Sequence, residues 1–102
     1  MTLSSKERAT LRAEAHHLVP VVHVGHNGLT DALRQTLDDA LRTHELVKVA
    51  LAKSTEVSAK DAAHELAESL NAAVVQTIGR TCTLYRENPD LERKKGAAPP
   101  WR

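Results

Sequence analysis

Four residues constrain this chain more than any others: Gly25-His26-Asn27-Gly28. They follow the apolar run Val19-Pro20-Val21-Val22-His23-Val24 and precede Leu29-Thr30-Asp31, where an amphipathic stretch begins. Val21, Val22 and Val24 are β-branched and form too short a run for a helix, so they read as a buried strand. A strand, a glycine-bounded loop and a helix start therefore follow one another within about a dozen residues, a close spacing for such connections. Glycine allows the sharp turn and removes the Cβ that would hold a ligand away. The helix start adds free N–H groups and the positive end of a dipole. The arrangement brings bare backbone to a place where an anion can sit. A tight turn with no ligand needs the same residues, so both readings stand on the loop alone.

The rest of the chain repeats the alternation. Ser4-Ser5-Lys6-Glu7 is a capping box, with Ser4 as N-cap and Glu7 at the third helical position. Leu11, Ala15 and Leu18 give that first helix its apolar side, and Pro20 ends it. Thr30 caps a second helix, in which Leu33, Leu37, Ala40, Leu41 and His44 share one face. Residues 45–53 read as a second strand, with Val47, Val49 and Leu51 on one face. Ser58 caps a third helix with the stripe Ala63, Leu66, Ala67 and Leu70. Ala73–Ile78 and Thr81–Arg86 are β-rich runs around Gly79-Arg80, the signal of a type II′ hairpin. The order α-β-α-β-α-β-β predicts a two-layer α/β (α+β) domain with a small four-stranded mixed sheet. Helical crossovers make strands one, two and three parallel, and the final hairpin is antiparallel.

At 102 residues the chain has room for one core. The reading places a domain over residues 1–87 and a basic, disordered tail over 88–102, where charged and then Gly/Ala/Pro-rich sequence takes over. The single cysteine, Cys82, excludes an internal disulfide and fits a reducing compartment. No apolar run reaches the roughly 18 residues of a membrane span, and the first residues lack a signal-peptide layout. These features give the expectation of a cytoplasmic protein, monomeric when free. The net charge of +1 conceals a polarity. Residues 1–30 carry +1, residues 31–70 carry five basic against eight acidic side chains, and residues 71–102 carry six basic against three acidic. Basic patches of this kind bind nucleic acid even when the total is near neutral.

Catalysis finds little support. Cys82 lies inside a strand and reads as a small core residue. There is no nucleophile elbow, no Walker or Rossmann fingerprint, and Asp38 and Asp39, adjacent on a helix, point to different sides. His16, His17, His23 and His26 lack a partner set of cysteines or carboxylates, so neither a metal nor a cofactor is expected. Tyr85 alternates away from Cys82 and Leu84 and reads as packed rather than base-stacking. Two aromatics are too few for a stacking platform, so recognition should rest on backbone and shape.

Several separated stretches resemble the CRM domain family, whose bacterial single-domain members are called YhbY. They are Leu3-Ser4-Ser5-Lys6 and Leu11-Arg12-Ala13, then Ala15-His16-His17-Leu18-Val19-Pro20-Val21-Val22. Val24-Gly25-His26-Asn27-Gly28-Leu29-Thr30, His44-Glu45-Leu46-Val47-Lys48-Val49, Ile78-Gly79-Arg80-Thr81 and Leu84-Tyr85-Arg86 follow in the family's order. The resemblance covers about residues 1–87. It implies a fold like the C-terminal domain of translation initiation factor 3, and it implies RNA binding. The implied partner is ribosomal RNA in precursors of the large subunit. The loop, Gly25, His26, Asn27 and Gly28, becomes the expected backbone clamp, as GxxG loops are in KH modules. Arg80, Lys6, Arg8, Arg12, Lys48 and Arg86 are the expected phosphate contacts, with the first helix, the loop and the hairpin turn on one RNA-facing surface. The acidic third helix is expected to face away. Each of these cations also reads as an ordinary surface charge. The family's loop often carries lysine after its first glycine, where this chain has His26. The alternative function is a protein-interaction module docking a ribosomal or other protein through the acidic helix or the tail.

Overall fold

Three hydroxyl side chains set where the helices begin. Ser4 accepts from the Glu7 N–H at 3.1 Å while the Glu7 carboxylate accepts from the Ser4 N–H at 3.0 Å, completing the capping box. Thr30 and Ser58 accept from the N–H groups of Leu33 and Asp61, each at 3.1 Å. The computed structural model describes residues 3–89. Its elements are α1 (Ser5–Ala15), β1 (Val22–Val24), α2 (Asp31–His44), β2 (Leu46–Leu51), α3 (Ala59–Leu70), β3 (Ala73–Ile78) and β4 (Thr81–Tyr85). Residues 90–102 of the expected tail lie outside the described residues. No described helix is long and apolar enough to cross a membrane.

The sheet is mixed, with strand order β1-β2-β4-β3. β1 and β2 are parallel, and β4 is antiparallel to both β2 and β3. β2 and β3 run in the same direction, as the crossover predicts, but β4 lies between them. The hairpin folds β4 back into the centre of the sheet, where Cys82 and Leu84 are fully buried. Gly79 has φ +57 and Arg80 has none of that sign, the pattern of a type II′ turn.

The alternation of β2 separates two cores. Val47, Val49 and Leu51 join Val22, Val24, Cys82 and Leu84 beneath α2 and α3. Leu46 points the other way and packs with Ala73, Val75, Tyr85 and the α1 residues Leu11 and Ala15. α1 therefore covers part of the opposite face, and the expected two layers become three. Tyr85 is buried in this second cluster, and burial pushes the Cys82 thiol in the first up to about 11.

Three boundaries differ from the sequence reading. α1 stops at Ala15, before Pro20, and Leu18 is left half-exposed. β2 ends at Leu51, where its pairing with β1 stops at Val24 and the Thr55 N–H closes a turn onto the Ala52 carbonyl. Glu45 is the cap of α2, not the first residue of β2, and His44 before it is exposed. Glu45 holds φ +63, a costly conformation for a residue with a Cβ. Its N–H, carbonyl and carboxylate are all engaged, with Leu41, Arg86 and Asn88, which offsets that cost.

Candidate nucleic-acid interface

The loop Gly25–Gly28 closes as a tight turn, with the Gly28 N–H donating to the Gly25 carbonyl at 3.0 Å. Gly28 has φ +73, which explains that glycine by backbone conformation. Gly25 has no such φ, and a Cβ placed on it would meet nothing within 4 Å. His26 and Asn27 are exposed at the tip. Among the described residues no hydrogen bond engages the N–H groups of His26, Asn27 or Leu29. The loop therefore presents unpaired donors beside the capped start of α2, a geometry suited to phosphate oxygens.

A residue the sequence reading passed over holds this loop in place. Thr55 is buried, and its hydroxyl lies 2.7 Å from the Gly25 carbonyl and 3.0 Å from that of Val24. Its own carbonyl accepts from Arg80 Nη2 at 2.9 Å. Arg80 also donates to the carbonyls of Ala52 at 2.6 Å and Leu51 at 3.3 Å. The hairpin turn, the segment after β2 and the glycine loop are thus tied together at one end of the sheet. Lys53-Ser54-Thr55-Glu56 reads as a plain polar connection in the sequence, and nothing in it signals this role. Arg34 is a second such residue. It donates to the Leu29 carbonyl at 3.1 Å and pairs with Glu65 at 3.0 Å, fixing the exit of the loop against α3.

The structure does not gather the expected cations on one surface. Arg80 stays beside the loop, but its guanidinium is spent on three carbonyls instead of projecting freely. No carboxylate pairs with it among the described residues, so its charge still reaches the loop. Lys48 stands half-buried on the α1 face and donates to the Leu18 carbonyl at 3.2 Å. Lys6, Arg8 and Arg12 are exposed on α1. That helix packs over Leu46, Ala73 and Tyr85, at the end of the sheet away from the loop. Arg86 sits at the same far end, opposite Glu45 and about 20 Å at strand spacing from Leu51, the partner of the last residue before the loop. It bonds Asp38 Oδ1 at 2.8 Å, the Asp38 carbonyl at 3.1 Å and the Leu70 carbonyl at 2.9 Å. Its bond holds the Asp38 carboxyl below the usual carboxylate range against the opposing effect of burial, and Arg42 adds to the effect.

The two flanks of the loop differ in charge. On one side His26–Leu29 share a groove with Glu56, Val57 and Glu65. On the other, a groove of about 340 Å3 runs between β1 and α2 and is lined by no carboxylate. Glu65 of α3, paired with Arg34, therefore lies beside the loop.

A four-stranded mixed sheet with three helices, and a glycine-bounded loop between its edge strand and a capped helix, defines a small α+β domain. The CRS1/YhbY (CRM) domain model matches residues 3–86, and the chain belongs to that family. It is 36% identical over 88 residues to "Probable RNA-binding protein YqeI" of Bacillus subtilis, spanning 86% of this chain and 92% of that protein. It is 39% identical over 91 residues to a Haemophilus influenzae protein named "RNA-binding protein", spanning 89% and 92%. Among solved structures, the hypothetical protein SAV1595 from Staphylococcus aureus superposes with TM-score 0.68 at 31% identity, covering 96% of this chain and all of that one.

Proposed function

We propose that this protein binds RNA by its phosphate backbone through Gly25–Gly28, and that its target is ribosomal RNA in precursors of the large subunit. The observation that carries the reading is the braced loop: unpaired N–H groups on a turn with no side chain at Gly25. Membership of the CRM family and the names of the Bacillus and Haemophilus relatives support it. With histidine and asparagine at the tip, the loop contributes donors and shape. Attraction comes from Arg80 and from cations spread over the rest of the surface.

Titration with a large-subunit ribosomal RNA fragment at several salt concentrations tests this. Each phosphate neutralised lowers the slope of log K against log salt by about 0.7–0.9. A steep slope is expected, and stronger binding to that fragment than to an unrelated RNA of equal length. A flat response would favour docking to a protein instead. Equal affinity for unrelated RNA would remove the ribosomal assignment while leaving the loop reading in place.

A further inference from the structure

The groove on the acid-free flank of the loop has an unused feature in its wall. β1 is an edge strand, paired only with β2. Val22 and Val24 pair with Val49 and Leu51, and the Val24 carbonyl accepts from the Ala52 N–H at 2.9 Å. In a parallel ladder of this register the N–H and C=O of Val22 and Val24 face β2. Those of His23 then face outward, into the groove, and among the described residues nothing else pairs with them. Ala32, Leu33 and Thr36 of α2 form the other wall, and the glycine loop closes one end. A donor and an acceptor on one wall, a mostly apolar second wall and an anion-suited end match a nucleotide: base edge, base face and phosphate.

We propose that the groove between β1 and α2 takes an unpaired base of a single-stranded RNA segment, its edge bonded to the N–H and C=O of His23. The adjoining phosphates lie along Gly25–Gly28, so the inference rests on the loop being the RNA clamp. The site commits to single-stranded RNA because in a duplex the Watson–Crick edges are paired and the bases stacked, so no base can be splayed into a groove beside a helix. The path is further chosen by charge. The opposite flank carries Glu56, which repels phosphate, and Glu65, whose charge is partly met by Arg34, whereas no carboxylate lines this groove.

The test uses the full chain and a mixed-sequence RNA oligonucleotide, either single-stranded or annealed to its complement. The single strand is expected to bind about tenfold more tightly than the duplex, the scale of one sequestered base. Ala32 is exposed on a helix surface, so Ala32→Gln fills the groove without disturbing the core. It should abolish the preference, leave duplex affinity unchanged and keep the melting temperature. The His23 amide resonance should shift on adding single strand and stay in place with duplex. Equal affinity for the two RNAs, or an undiminished preference in folded Ala32→Gln, overturns the groove assignment. If His26→Asp/Asn27→Asp leaves binding to the single strand untouched, the loop clamp itself falls, and the groove with it.

Discussion

Arg86 shows how a residue's chemistry can be readable while its employment is not. As a cation next to a strand end it reads as a phosphate contact. In the fold it joins Asp38 of α2 to the carbonyl that ends α3, through a partner 48 positions earlier. No local spacing carries that pairing. The Asp38 carboxyl is held below its ordinary value, chiefly by the bond from Arg86. A carboxylate with a lowered folded value stabilises the fold above the ordinary carboxylate range, and the contribution is lost as pH falls through the folded value. Asp38→Asn should therefore cost about 1–2 kcal/mol at neutral pH, and the gap to the natural chain should close below about pH 4. Denaturant melts across that range check both. A gap that persists in acid would assign the loss to shape, not charge. Thr55 makes a second prediction at this scale. Thr55→Val keeps the volume and deletes the hydroxyl that braces Gly25. RNA affinity should fall several-fold with a stability loss of about 1 kcal/mol, and Thr55→Ser should restore the affinity. A Thr55→Ser chain as weak as Thr55→Val would show that the methyl group, not the hydroxyl, matters.

At the scale of elements, the local signals are legible where the physics is local. Ser4, Thr30 and Ser58 all cap helices, and Gly79 supplies the positive φ of the hairpin. Glu45 escapes such reading, because a left-handed helix end without glycine or asparagine has no compositional mark and is held by contacts from distant residues. The two glycines of the loop look alike in sequence and differ in the fold, and that difference separates a turn from a clamp. Gly28→Ala forces a Cβ onto φ +73 and should destabilise the protein by roughly 1–2 kcal/mol. Gly25→Ala meets no atom and no strained φ, so its melting temperature should hold. A drop in its RNA affinity would follow only from close approach of the ligand. Full affinity in Gly25→Ala would reduce the loop to a tight turn.

The whole molecule depends on pairings that join distant parts of the chain, and here the sequence is least informative. The element order and the mixed sheet are readable from periodicity and crossovers. The insertion of β4 between β2 and β3, and the placement of α1 on the opposite face, are settled by which apolar faces meet, as Leu46 and Tyr85 show. That placement separates Lys6, Arg8 and Arg12 from the loop, while α3 brings Glu65 beside it. The loop, braced by Thr55 and Arg80, is left as the centre of the candidate site. The most direct test is equilibrium binding of a large-subunit ribosomal RNA fragment by the full chain and by His26→Asp/Asn27→Asp, with melting temperatures taken on the same samples. The two side chains are exposed and hold no partner in the fold among the described residues, so stability should be unchanged. Two new negative charges against phosphate should weaken binding by about tenfold or more at low salt. Undiminished affinity in the folded double variant would contradict the assignment of Gly25–Gly28 as the RNA clamp.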